Sequence, residues 1–199
     1  MKHNSSLSIY FALFGCVFFS ISVSRSGRHS CKSTRLMKSS GAPQKVKLAL
    51  NKMQCLHGVD SAYIKNTFFA ESVNSSYKIL IYKDATSCTP CAIDRMYAWN
   101  DMIKQFDKYN VRWIFIISPQ KEQIENMYLA IEYSYLKSAI YVDTANIFPK
   151  ENEHIMSNAK DQVMLIDKDN KIIVIGNPMQ DINVQSNMIK ILQEKSSNN

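Results

Sequence analysis

The chain has 199 residues, of which 46% are hydrophobic and 21% are charged, and this balance excludes an intrinsically disordered protein. The net charge of +7 originates in residues 1–47, which hold eight Lys or Arg and no acid, so residues 48–199 are close to neutral. Because the folded part is near-neutral, no basic nucleic-acid-binding face is implied, and we expect no nucleic-acid partner. The length predicts one domain with an additional segment.

Residues 1–24 predict a signal peptide or a membrane anchor, because Lys2 precedes the apolar stretch LSIYFALFGCVFFSISVS at residues 7–24. Small residues at Ser22 and Ser24 fit cleavage near Arg25. We favour export to the bacterial cell envelope, on the periplasmic side, with the protein secreted or held at the membrane by an uncleaved segment. The basic residues that follow leave open an anchor facing the cytoplasm, since positive flanks normally stay on that side.

Two further segments precede the first clear strand. Residues 25–47 are rich in Ser, Gly, Lys and Arg without apolar periodicity, which predicts a basic flexible tether. Residues 48–76 are expected to form an N-terminal extension of no assigned structure, although KVKLALNKM at residues 45–53 fits a helix or a strand.

From residue 77 onward, strand and helix patterns alternate along the chain. Apolar runs at 77–82, 111–118 and 139–143 predict three strands, and QVMLID and KIIVIG predict an antiparallel hairpin around residues 168–170. Apolar residues at three- and four-residue steps predict three helices, which carry Ile93, Met96, Trp99, Ile103 and Phe106, then Ile124, Met127, Ile131 and Tyr135, then Val184, Met188, Ile191 and Leu192. Residues 77–199 are therefore expected to form one α/β domain, with a central mixed sheet, helices on both faces and a C-terminal hairpin plus helix.

Two stretches, KILIYKDATSCTPC at residues 78–91 and QVMLIDKDNKIIVIG at residues 162–176, resemble the thioredoxin-like superfamily. They are most similar to its exported TlpA and cytochrome-maturation group of thiol–disulfide oxidoreductases. The resemblance implies a thioredoxin-like fold for residues 77–195. It also implies a reductase of protein disulfides, because a Pro directly before the second cysteine, here Pro90 after Thr89, accompanies reducing members of the family.

The resemblance also assigns positions outside the cysteine motif. Asp161 stands at the position of the family's cis-proline, so Asp161 and Gln162 are the implied substrate-binding loop. Tyr82 stands six residues before the first cysteine, where the family places a buried carboxylate.

The two cysteines of the CTPC motif are the candidate catalytic residues. Thiol–disulfide exchange needs one thiolate that attacks and a second thiol that resolves the mixed disulfide. A helix N-terminus stabilises a thiolate and lowers its pKa below the free value of about 8.5. We therefore expect Cys88 to be the nucleophile and Cys91 the resolving thiol, with Pro90 tolerated in the first helical turn. No cofactor and no metal is expected; protein thiols and disulfides are the expected substrates, and a membrane thiol relay is the expected electron donor.

Three other interpretations of the cysteine pair remain open. A non-catalytic binding domain could hold Cys88 and Cys91 as a structural disulfide, although so short a loop gains little from closure. A zinc site would need two more ligands, for which Cys55 and His57 have an unusual spacing. A copper-delivery protein could combine the two thiolates with His154, since soft thiolates suit Cu(I).

Overall fold

A computed structural model describes residues 44–58, 75–84, 89–156 and 161–196. The predicted leader at 1–24 and most of the predicted tether at 25–47 lie outside these residues, and so does Cys88. Within the described ranges, no helix has the length and apolar character needed to cross a membrane.

Six strands form one mixed sheet in the order β1-β4-β3-β2-β5-β6. The neighbours β4, β3 and β2 run parallel, whereas β1 pairs antiparallel with β4 at one edge and β5 and β6 pair antiparallel at the other. The strands are β1 (Gln54–Leu56), β2 (Tyr77–Lys83), β3 (Val111–Ile117), β4 (Ile140–Val142), β5 (Asp161–Asp167) and β6 (Ile172–Ile175).

Helices connect the parallel strands and follow the hairpin. They are α1 (Thr89–Asp94), α2 (Trp99–Phe106), α3 (Ile124–Glu132), α4 (Ile147–Glu151), α5 (Glu153–Met156) and α6 (Ile182–Ser196). Short 3₁₀ turns lie between them, two of which, Met96–Ala98 and Lys121–Gln123, precede α2 and α3 directly.

The strands bury both of their faces, because successive side chains along a strand point to opposite sides. On one side, Ile79 and Ile81 of β2 pack in a cluster with α1, α2, α3 and α6, and we call this the α1 face. On the other side, Leu80 and Tyr82 pack with α4 and α5, and we call this the α4 face. The predicted mixed sheet with helices on both faces and a C-terminal hairpin plus helix is therefore confirmed.

Residues 44–58 pack against the same sheet. Val46 is buried in the α4 face, and the N–H of Ile172 donates to the carbonyl oxygen of Gln44 at 2.9 Å. The last residues of the predicted tether thus lie along the hairpin instead of extending into solvent. The predicted extension contributes the edge strand β1, which the sequence patterns did not indicate.

Two helical predictions differ in detail from the structure. The pattern from Ile93 to Phe106 is divided into α1, a 3₁₀ turn and α2, although four of its five apolar residues are buried as expected. Tyr135 was expected on the buried face of α3, but this helix ends at Glu132 and Tyr135 is 70% exposed. The chain leaves the helix at Tyr133, so the helical spacing no longer determines which side chains face the sheet.

Candidate functional site

The second cysteine of the motif lies at the end of the sheet where β2 and β3 finish. Helix α1 begins at Thr89, directly after Cys88 in the sequence, and Cys91 is its third residue and is exposed. Because α1 follows the parallel strand β2, Cys91 lies near the carboxyl edge of the sheet, where α/β proteins commonly place their ligands.

A groove of about 730 Å³ opens beside Cys91. One wall comes from α1, the 3₁₀ turn that follows it and the start of α2, and includes Arg95, Met96 and Trp99. The opposite wall comes from the start of β5, the end of β6 and the residues that follow it. Its members include Gln162, Val163, Ile175, Gly176, Asn177 and Met179. The lining combines apolar side chains, amides and two cations, Lys83 and Arg95.

The backbone at the groove's far wall requires a glycine. Gly176 has a φ of +149°, which side chains other than glycine rarely adopt. A Cβ there would also lie 2.8 Å from Cγ2 of Val184 on α6. Gly176 therefore lets the chain turn tightly between β6 and α6 at the edge of the groove.

The pair implied as a substrate-binding loop, Asp161 and Gln162, forms the first two residues of β5, which corrects the loop assignment. Gln162 pairs with Tyr82 of β2 and lines the groove. Its side chain is directed to the α4 face, however, where Nε2 donates to the carbonyl oxygen of Ile155 at 2.9 Å. Successive side chains along a strand point to opposite faces of the sheet. Val163 therefore packs on the α1 face, and the Gln162 amide is held away from Cys91.

Thr89, between the two cysteines, is hydrogen-bonded to the 3₁₀ turn that precedes α3. Thr89 is buried, and its backbone N–H donates to Oε1 of Gln123 at 3.1 Å. Pro90 is the second residue of α1, where its missing N–H breaks no helical hydrogen bond. No sequence pattern indicated Gln123, because it lies 34 residues from Thr89 in a polar 3₁₀ turn.

The position of the family's buried carboxylate has a hydroxyl group instead. Tyr82 is 2% exposed, and its hydroxyl donates to Oγ of Ser118 at 3.3 Å. Ser118 in turn donates to Oδ2 of Asp143 at 3.5 Å, and Asp143 is also buried. Ser118 and Asp143 directly follow β3 and β4, so polar residues at the ends of neighbouring parallel strands were the signal that could have found them.

The other metal-ligand candidates lie apart from Cys91. Cys55 Sγ is 3.9 Å from Nε2 of His57, but Cys55 belongs to β1, three strands from β2 and hence about 14 Å across the sheet. His154 is exposed on α5, whose neighbouring residue Ile155 packs on the α4 face, opposite to α1. Neither histidine lines the groove beside Cys91.

The Cys55 thiol is in an environment that disfavours the thiolate. Desolvation raises its pKa above the ordinary value, and this outweighs the opposing effects of the Tyr141 hydroxyl and the Arg112 guanidinium. Arg112 Nη2 donates to the hydroxyl of Tyr141 at 3.0 Å, so the cation is engaged by the tyrosine next to the thiol.

A parallel β2–β3 pair, continued by antiparallel β5 and β6 and followed by a helix, carries a C-x-x-C motif where the helix after β2 begins. The fold is thioredoxin-like. Beyond this core, β4 and β1 extend the sheet past β3.

Comparisons with known proteins found similar chains among solved structures, at low sequence identity. No protein-family model matches the chain, and no curated protein matches it. Among solved structures, the chain is similar to one described as a thiol:disulfide interchange protein DsbE from Chlorobium tepidum, with 13% identity, a TM-score of 0.48 and coverage of 77% of this chain and 99% of that one. The thioredoxin domain of a thiol-disulfide oxidoreductase from Bacteroides vulgatus has the same identity and coverage, with a TM-score of 0.45. A reduced 2-Cys peroxiredoxin from Plasmodium vivax is 12% identical, covers 61% of this chain and 80% of that one, and has a TM-score of 0.43.

Proposed function

We propose that the protein is an exported thiol–disulfide oxidoreductase that reduces protein disulfides with the Cys88–Cys91 dithiol. The observation that carries this proposal is the position of Cys91, exposed in the first turn of α1 and beside a groove of about 730 Å³. A structural disulfide would not need an open groove next to it, whereas a dithiol that forms a mixed disulfide with a protein substrate needs room for that substrate beside the resolving thiol.

The reaction follows from the order of the two thiols. The Cys88 thiolate attacks one sulfur of a substrate disulfide, forms a mixed disulfide and releases the first substrate thiolate. The Cys91 thiolate then attacks the Cys88 sulfur and releases the second substrate thiol, leaving a Cys88–Cys91 disulfide. The substrate gains two electrons and the dithiol loses two, so each cycle needs an external dithiol donor, for which we propose a membrane thiol relay.

The lining of the groove is compatible with a peptide substrate. Its apolar members Met96, Val163, Ile175 and Met179 lie on two walls beside Cys91, which fits apolar side chains that flank a substrate cysteine. Pro90 before the second cysteine supports the reducing direction by the family resemblance described above.

Trapping tests this proposal directly. In a Cys91→Ser variant, Cys88 should form mixed disulfides with client proteins that cannot be resolved, and these complexes should disappear in a Cys88→Ser/Cys91→Ser double variant. The parent protein should reduce insulin in the presence of a dithiol donor, and the single variants Cys88→Ser and Cys91→Ser should both lose turnover. Absence of insulin reduction by the parent, together with equal and slow alkylation of both cysteines, would support the structural disulfide instead.

Export is tested separately from the chemistry. Residues 1–47 fused to a reporter that works only in the periplasm should give a signal in a bacterial host. A signal only from a cytoplasmic reporter would contradict export and leave the redox proposal unaffected.

A further inference from the structure

The CTPC motif is attached to the rest of the fold by one side chain that has no part in the thiol chemistry. The backbone N–H of Thr89, which belongs to the peptide group joining Cys88 to α1, donates to Oε1 of Gln123 at 3.1 Å. An N–H in the first turn of a helix has no partner within that helix, so it needs one from elsewhere when it is shielded from water. Gln123 supplies that acceptor.

The backbone of Gln123 is held in a turn beside the buried residue Thr89. The backbone N–H of Gln123 donates to the carbonyl oxygen of Gln120 at 3.0 Å, which closes the 3₁₀ turn immediately before α3. The side chain is half-buried, and Thr89 is almost fully buried at 2% exposure. The Thr89 hydroxyl is also buried and has no hydrogen-bond partner within the described residues, so it does not compete for the Gln123 oxygen.

We propose that Gln123 is a positioning residue for the Cys88–Cys91 pair, which sets the redox equilibrium of the dithiol by holding the Cys88–Thr89 peptide group. This inference rests on the proposed function. Closing the disulfide requires residues 88–91 to keep one turn geometry, and a reduced protein that is already held in that geometry loses less conformational freedom on closure. Removal of the acceptor therefore favours the dithiol over the disulfide.

The test removes the acceptor oxygen of Gln123 while the size of the side chain stays nearly constant. Gln123→Met removes the acceptor oxygen, whereas Gln123→Glu keeps an acceptor and adds a negative charge. The matched controls are Gln120→Met and Gln120→Glu, because Gln120 lies in the same turn, is exposed, and interacts with Gln123 through its backbone only. The full chain of each variant is equilibrated with reduced and oxidised glutathione, which accepts and supplies the two electrons.

We expect Gln123→Met to lower the equilibrium constant for disulfide formation by about threefold, which is less than a whole hydrogen bond would give, because the dithiol already makes this bond. Gln123→Glu should leave this constant within about twofold of the parent, and both Gln120 variants should do the same. In a Cys91→Ser background, Gln123→Glu should also move the pH profile of Cys88 alkylation to higher pH, because a negative charge near the motif disfavours the thiolate. Gln120→Glu should move this profile less.

The outcomes separate this inference from the proposed function. An unchanged glutathione equilibrium in Gln123→Met, or an equal change in Gln120→Met, would overturn the inference while the parent still exchanges disulfides. If Gln123→Met does not fold, an alkylation profile in Gln123→Glu that matches Gln120→Glu would overturn it. A parent that forms no Cys88–Cys91 disulfide with glutathione would overturn the proposed function itself.

Discussion

The hydroxyl of Tyr82 donates a hydrogen bond to Oγ of Ser118 at 3.3 Å in the buried part of the sheet. The two residues stand at the ends of the parallel strands β2 and β3. Ser118 continues the connection to the buried carboxylate of Asp143, which also accepts the backbone N–H groups of Ile147 and Phe148 at 2.8 Å each. Asp143 thus belongs to a helix start on the α4 face, and position 82 itself is held by a neutral hydroxyl.

Replacement of Tyr82 by Phe should measure the contribution of this hydrogen bond. The ring keeps its packing against Phe148, whose centroid is 4.9 Å away, so the change is confined to the hydroxyl. We expect the free energy of unfolding in urea to fall by about 1 kcal/mol. Tyr97→Phe, at a residue that is 59% exposed, is the control and should stay within about 0.5 kcal/mol of the parent. Equal effects at both positions would contradict the buried hydrogen bond.

Gly176→Ala should destabilise the protein for two separate reasons. The φ of +149° is strained for alanine, and the new Cβ would lie 2.8 Å from Cγ2 of Val184. We expect a loss of about 2–4 kcal/mol in the free energy of unfolding. In a Val184→Ala background the same change should cost less, because the contact is removed and only the backbone strain is left. Equal costs in the two backgrounds would exclude the contact with Val184 as a cause.

Cys55 should be the slow thiol among the described cysteines. Desolvation raises its pKa, so the folded protein holds the proton at pH values where an unfolded chain has begun to release it. Although Cys55 is exposed, its alkylation at pH 7 should be slower than that of an ordinary exposed cysteine, and Cys55→Ser should leave insulin reduction unchanged.

The same shift has a consequence for stability. Below the ordinary pKa of the thiol, Cys55 is protonated in both the folded and the unfolded state. The contribution of this group to the stability of the folded state is then fully present. As the pH rises through the raised pKa of the folded state, this contribution is lost. The parent should therefore lose stability relative to Cys55→Ser as the pH rises above about 8.5. A constant difference between pH 7 and 10 would contradict the raised pKa.

Much of the fold could be predicted because strong local patterns carry it. The strands at 77–83 and 111–117 are short runs dominated by apolar, β-branched and aromatic residues with one or two basic residues, and this composition and length indicate buried strands. Edge strand β1 has only three residues, and its partner β4 lies more than 80 residues away, so no local pattern could indicate the pairing. Val46 was missed for the same reason, because its burial depends on a hairpin at the other end of the chain.

The site could be predicted only in part. The CTPC motif and the helix after it were evident from the sequence, whereas the anchoring of Thr89 by Gln123 is a single long-range side-chain contact without a pattern. Gln162 was assigned from the resemblance to a loop, but the strand β5 begins one residue earlier and its pleat directs the amide to the α4 face. The alternation of side chains along β5 thus determines the orientation of the Gln162 amide, which the position in the family motif alone could not indicate.

The last prediction separates disulfide reduction from copper delivery, since both would use Cys88 and Cys91. His154 is exposed on α5 and does not line the groove beside Cys91, so we expect it to take no part in the dithiol chemistry. His154→Ala should leave insulin reduction within about twofold of the parent, whereas Cys91→Ala should abolish turnover because the mixed disulfide can no longer be resolved. Copper binding alone decides nothing, because an accessible thiol pair suits Cu(I) in either case. Copper delivery would be favoured over the reductase if the parent reduces no disulfide and His154→Ala loses the tight Cu(I) binding of the parent.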